Sequence, residues 1–187
     1  MDRIAELNLA NGLKQGALRL GHTEFLSGGH ADGWVEKGAL FSVPQLLEQV
    51  ASAQAHHIGA AFPEATLLVG APACGAVLAS FVARHLQLPV AYMLTDGSLR
   101  WHRMHVPTAG QHAVDVDDLI CTGEGAREIV QYLNQEGHHV LGISCWLSRV
   151  PLDSLITLEP PPFQTYTVGE CPLCQAGQLL TYAGVWE

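Results

Sequence analysis

Two adjacent carboxylates, Asp117 and Asp118, follow the apolar run "HAVDV" and precede "LICTGEGAREIV". Paired acids at a strand end can accept hydrogen bonds from the vicinal hydroxyls of a ribose, or hold a magnesium ion beside it. The turn from Cys121 through Thr122, Gly123, Glu124 and Gly125 to Ala126 can aim backbone N–H groups at a phosphate where the next helix begins. Together these residues suggest a loop for a phosphorylated sugar. The plainer reading is an ordinary strand-to-helix connection whose acids cap the helix.

The elements that would position this loop alternate in type. "ATLLVGA", "LPVAYML", "HAVDV" and "HHVLGISCWLSR" read as strands, the first of them apolar enough to be buried on both faces of a parallel sheet. "VPQLLEQVASAQAHHIGAAF", "PACGAVLASFVARHLQ" and "GAREIVQYLNQEG" read as helices, with Ser42 as N-cap of the first, Pro44 in its first turn and Gly137 closing the last. "MDRIAELNLANGLKQGAL" carries Ile4, Leu7, Leu9 and Leu13 near helical spacing. "TEFLSGGHADGWVEKGALF" is glycine-rich, with short extended pieces on either side of the glycines. Strand–helix alternation predicts an α/β fold with a parallel sheet, whose ligands bind beyond the carboxyl ends of the strands. Segments 70–75, 94–110, 117–126 and 147–150 should then share one rim.

At 187 residues, with 48% hydrophobic and 14% charged residues, the chain is long enough for one globular domain with a sizeable core. A net charge of -9 argues against duplex nucleic acid and anionic membranes as partners. Its lysines are Lys14 and Lys37, beside seven arginines, so an anion site must draw on arginine, histidine, backbone N–H groups or a metal ion. No apolar run approaches the roughly 20 residues that span a bilayer, and the N-terminus lacks the apolar stretch of a signal peptide. The five cysteines, at 74, 121, 145, 171 and 174, do not form a secreted disulfide framework, and the cytoplasm is the expected compartment.

"VDVDDLICTGEGARE" resembles the phosphoribosyl-pyrophosphate (PRPP) signature of the type I phosphoribosyltransferases. The likeness extends to their orotate phosphoribosyltransferase branch. "LSGGHADGWVEKGALF" is similar to its N-terminal base-covering segment, and "LLVGAPACGAVLASFVARHLQLPVAY" to its pyrophosphate-loop strand and helix. "GHHVLGISCWLSR" resembles the strand ending in the arginine that reads the orotate carboxylate, and "ECPLCQAGQLL" a Cys-Pro-Leu-Cys ending found in a subset of these enzymes. The resemblance covers roughly residues 15 to 180, in order.

It implies a single-domain phosphoribosyltransferase fold: an N-terminal helix and hood over 1–42, an α/β core over 43–168 and a CxxC-containing tail over 169–187. It implies magnesium-dependent transfer of ribose 5-phosphate from PRPP to orotate, giving orotidine 5′-monophosphate and pyrophosphate, in a homodimer. By position, Asp117 and Asp118 would hold the ribose hydroxyls, and Cys121, Thr122, Gly123, Glu124, Gly125 and Ala126 the 5′-phosphate. Ala73, Cys74 and Gly75, within the loop 71–75, would meet pyrophosphate. Trp34, Val35 and Lys37 would lie at the base, and Arg149 would read its carboxylate; taken alone, Arg149 is a surface arginine at a strand end.

Departures from the family pattern bear on activity. Glu124 places an acid where the phosphate belongs; a carboxylate roughly 4 Å from a phosphate, at an effective dielectric near 20, repels it by about 4 kcal/mol per charge pair. Position 121 is a thiol instead of a hydroxyl, a poorer donor. The loop after "LPVAY" contains no lysine, leaving Arg100, Arg103 and His105, with His102, as candidate cations for pyrophosphate. Alternatively these residues form a solvated hairpin around a packed Trp101. The alternatives to the transferase are therefore a catalytically impaired relative that binds a nucleotide or a partner, and a transferase acting on another base or donor.

The Cys171–Cys174 spacing fits half a zinc site, but the chain contains no second CxxC or CxxH pair. His22, His30 or a pair from a second subunit would have to complete it. The plainer reading is a turn in a reducing compartment, and no metal ligand is assigned from the sequence. The histidine pairs at 56–57 and 138–139 read as solvated residues at element edges.

Overall fold

The computed structural model describes residues 17–95 and 98–185. The N-terminal helix expected from Ile4 to Leu13, and Lys14, lie outside them. The described chain divides into two compact units, residues 17–46 with 161–185, and Leu47–Pro160.

In the first unit, β1 (Leu18–Phe25) and β2 (His30–Val35) form an antiparallel hairpin on either side of the glycine turn, where Phe25 N–H donates to the Gly29 carbonyl at 2.8 Å. A short helix, α1 (Lys37–Phe41), follows.

In the second unit, α2 (Pro44–Ala61), which opens in the first, leads to β3 (Leu67–Gly70), α3 (Cys74–Leu86) and β4 (Val90–Leu94). β5 (Arg100–Trp101), β6 (His112–Ile120), α4 (Glu124–Gln135), β7 (His139–Ser148) and β8 (Leu155–Glu159) complete it. These strands form one six-stranded sheet in the order β5-β4-β3-β6-β7-β8. All neighbours are parallel except the edge pair β4–β5.

The remaining chain returns to the first unit. β9 (Thr165–Tyr166) pairs with β2, a 3-10 turn spans Val168–Glu170, α5 covers Pro172–Gln175, and β10 (Tyr182–Val185) runs parallel to β1. The four strands form a second sheet, β10-β1-β2-β9. The tail thus contributes two strands to this sheet, and β8 is a further strand that the sequence pattern does not mark. Both β8 and β10 are short edge strands with little periodicity to announce them.

Helices cover both faces of the large sheet. Ile129 and Leu133 of α4 pack with Leu67, Val69, Ala91 and Met93 on one side. On the other, Gln54 of α2 donates to the Ser144 hydroxyl at 3.3 Å. Period-two alternation explains the split, since Ser144 and Cys145 are successive residues of β7 and Cys145 joins the α4-side core with Ala126. No described helix is long and apolar enough to cross a membrane.

Candidate active site

The decisive element is β6, which outruns one of its neighbours. Its pairing with β3 ends at Val116, opposite Gly70, while pairing with β7 continues to Ile120, opposite Ser148. Residues 117–120 are therefore strand, stabilised from one side alone, where the sequence suggests that the strand stops before the acids. One-sided pairing leaves the β3 flank of Asp117 to a different element, the first turn of α3. Gly75 makes that approach possible: a Cβ there would lie 2.7 Å from the Val116 carbonyl and 3.2 Å from Asp117 Cα. The expected pyrophosphate loop, with Ala73 exposed and Cys74 half-buried, is thereby held against the acidic strand end.

Three acids, not two, occupy this strand. Asp118 is buried at its end, and Asp117 is partly exposed, its Oδ1 accepting from the Asp118 N–H at 2.8 Å. Asp115 shares Asp117's face by strand alternation and is fully buried, with neither carboxylate oxygen hydrogen-bonded. Burial pushes its pKa up to about 7. Asp117 also lies well above the ordinary carboxylate range, through burial first and then the charges of Asp118 and Asp115. The same burial and acids raise the Cys145 thiol, which faces Asp117 across the β6–β7 pair. Acids crowded in this way ionise more readily beside a cation, and in either form their oxygens can accept from a polyhydroxyl ligand. Hard carboxylate oxygens are the donors that magnesium prefers, so Asp117 and Asp118 fit that ion by donor type.

Beyond β6 the chain turns through Cys121 to Gly123 into α4. Gly123 is left-handed at φ 78°, and a Cβ on it would meet Leu152 at 2.9 Å and the Arg127 guanidinium at 3.3 Å. Gly125, in contrast, faces open space. The Glu124 N–H donates to the Thr122 hydroxyl oxygen at 3.3 Å, and the Glu124 side chain is exposed. Arg127 donates from Nη1 to the Thr122 carbonyl at 3.3 Å, which places a cation directly on the turn. Sequence reasoning gave Arg127 no role, although its spacing from Glu124 puts both on one side of the helix. Ala126 is buried in the α4 core.

Arg149 follows β7 at the same end of the sheet, its N–H donating to the Ile120 carbonyl at 2.8 Å. The segment after β4 is a hairpin: Met93 pairs with Trp101 and Leu94 with Arg100. Trp101 is buried and donates from Nε1 to Glu136 Oε2 at 3.3 Å, whereas Arg100 and Arg103 are exposed. His102 and His105 pack at a tilt against Tyr92, with ring centroids 5.0 and 4.3 Å away. In the first unit, Val35 is buried, Trp34 packs edge-on against Tyr182 with centroids 5.9 Å apart, and Lys37 opens α1.

No family model matches the chain. Curated sequences do. An orotate phosphoribosyltransferase of Caulobacter vibrioides is 32% identical over 158 residues, covering 79% of this chain and 81% of that protein. One from Thermotoga petrophila is 30% identical over 174 residues, covering 88% and 90%. The chain belongs to the orotate phosphoribosyltransferase family. Its fold agrees with that of the family's structures. The orotate phosphoribosyltransferase of Aeropyrum pernix superposes with a TM-score of 0.71 at 18% identity, over 82% of this chain and 93% of that one. Within this phosphoribosyltransferase fold the one-sided extension of β6 and the helix-opening turn at 121–126 form one continuous edge.

Proposed function

We propose that this protein transfers ribose 5-phosphate from PRPP to orotate, with release of pyrophosphate, in a magnesium-dependent reaction. The observation that carries the proposal is the β6 extension, which brings the partly exposed Asp117 and the buried Asp118 to the strand end and then delivers the chain through a left-handed Gly123 into a helix N-terminus. In this reading the two carboxylates accept the ribose hydroxyls. The N–H groups of the first α4 turn, which have no intrahelical partners, receive the 5′-phosphate, and the open space at Gly125 admits it. Arg127 adds positive charge at the same turn and offsets Glu124. Ala73, Cys74 and Gly75 flank the pyrophosphate, and the Arg149 fork suits the orotate carboxylate.

Magnesium bound with PRPP would supply positive charge for the departing pyrophosphate, and Asp117 and Asp118 are the residues that would hold it. No side chain acts as a nucleophile. The protein positions the anomeric carbon against orotate N1 and stabilises charge. The family resemblance further implies a homodimer, which sedimentation would read directly, and the cysteine usage favours a cytoplasmic location.

A second reading has its own observation. The hairpin ties His102 and His105 to Tyr92 and supplies no lysine, so the cations available to pyrophosphate are sparse. A relative with impaired catalysis would still bind orotidine 5′-monophosphate. The spectroscopic loss of orotate in the presence of PRPP and magnesium supports the transferase. Nucleotide binding by calorimetry without turnover establishes the second reading, and neither binding nor turnover overturns both.

A further inference from the structure

In the first unit, four side chains from opposite ends of the chain meet. His22 comes from β1, beside the irregularity in its pairing between Leu20 and Thr23, and His30 opens β2. Cys171 and Cys174 come from the turn and helix of "CPLC". His22 Nε2 lies 3.0 Å from His30 Nδ1, and Cys174 Sγ lies 3.2 Å from His30 Nδ1. Both sulfurs lie 3.6 Å from His22 Nε2, and all four atoms fall within 4.8 Å of one another. His22, His30 and Cys171 are buried, and Cys174 is the most open of the four.

Hydrogen bonding among the four does not account for this crowding. His22 Nδ1 lies 2.8 Å from the Gln178 carbonyl. A carbonyl only accepts, so in the neutral ring Nδ1 carries the proton and Nε2 keeps one lone pair. Three groups surround that single lone pair: His30 Nδ1 and the two sulfurs. One hydrogen bond can satisfy it, and although Cys174 can pair with His30 Nδ1 instead, three groups still converge on one lone pair.

A cation at the centre satisfies all four. Tetrahedral zinc, with bonds of roughly 2.0–2.1 Å to nitrogen and about 2.3 Å to sulfur, sets its ligands about 3.4 to 3.8 Å apart, close to the separations seen. A ligating histidine whose second ring nitrogen donates to a backbone carbonyl is the arrangement that fixes the metal-binding tautomer. Two sulfurs and two nitrogens in a tetrahedron select zinc over hard cations.

We propose that His22, His30, Cys171 and Cys174 bind one zinc ion in a closed structural site. Four protein ligands leave no open position for substrate or water, so the ion has a structural and not a catalytic role. It would clip the β1–β2 hairpin to the tail, joining residues 149 positions apart at His22 and Cys171. The sequence assigned no metal ligand because half of the set is scattered over the hairpin and separated from "CPLC" by the whole second unit.

The test uses the full chain, purified without a histidine tag and kept reduced. Metal analysis should find about one zinc per chain, and X-ray absorption should show two sulfur and two nitrogen neighbours. Cobalt substitution should give the intense visible absorption of a tetrahedral thiolate site. Cys174→Ser should lose most of the metal, and Cys174→His should retain it. Less than about a tenth of a zinc per chain after reconstitution under reducing conditions overturns the proposal. So does a wild-type absorption spectrum without sulfur ligation, which needs no variant to fold.

Discussion

Replacing Asp115 with valine removes a carboxyl group buried in the sheet with neither oxygen hydrogen-bonded. Its strand neighbours across the β3 and β7 pairings are Val69 and Ile143, so a β-branched apolar side chain suits the position. The folded pKa is about 7 against an ordinary 3.8. A raised carboxyl means that the native state holds a proton which the unfolded chain has already released. Stability is therefore full below the unfolded value and falls as pH rises toward the folded one. At about 1.4 kcal/mol per unit, the group costs on the order of 2 kcal/mol at about pH 5 and on the order of 4 kcal/mol above pH 7. Urea unfolding of wild type and Asp115→Val should thus diverge with pH, the variant gaining about 2 to 3 kcal/mol relative to wild type between about pH 5 and pH 8. Asp115 also contributes to the raised Asp117, so the variant should ionise Asp117 at lower pH and move the acid limb of any activity profile downward. Parallel stability curves across that range, or a variant destabilised at every pH, would refute the reasoning.

Gly75→Ala should lower stability by about 2 to 3 kcal/mol in urea unfolding, because the new methyl meets the Val116 backbone and cannot be relieved by a rotamer change. Glu124→Gln should tighten PRPP binding in calorimetry by no more than about fivefold, with the gain shrinking as salt is added, since the exposed carboxylate is well screened. Arg127→Ala should weaken the same binding by about fivefold and leave thermal stability nearly unchanged. Arg149→Lys should raise the KM for orotate more than that for PRPP, because a point charge cannot reproduce the bidentate fork.

Legibility followed the range of the interactions. β3 and β7 were readable because strands buried on both faces form continuous apolar runs. The turn at 121–126 was readable because helix-opening chemistry is local, and its closing side chain, Arg127, lies within the same quoted stretch. Glu124 carries the wrong charge for a phosphate site, and only the fold shows that its side chain is exposed and that the Arg127 guanidinium sits on the same turn, at the Thr122 carbonyl. The strand end itself was misplaced by four residues, because β6 continues wherever β7 still offers partners, even after β3 has ended.

By itself the sequence determined the alternation of strands and helices, the adjacent pair Asp117 and Asp118, and the glycine turn leading into α4. These follow from periodicity and local backbone preference, which neighbouring residues set. Tertiary structure alone decided that Asp115 is sealed in the sheet, that Gly75 lets α3 touch the acidic strand, and that two histidines meet two cysteines in the first unit. Each depends on segments distant in sequence arriving at one place, and the burial or crowding that gives such residues their chemistry exists only once they have arrived.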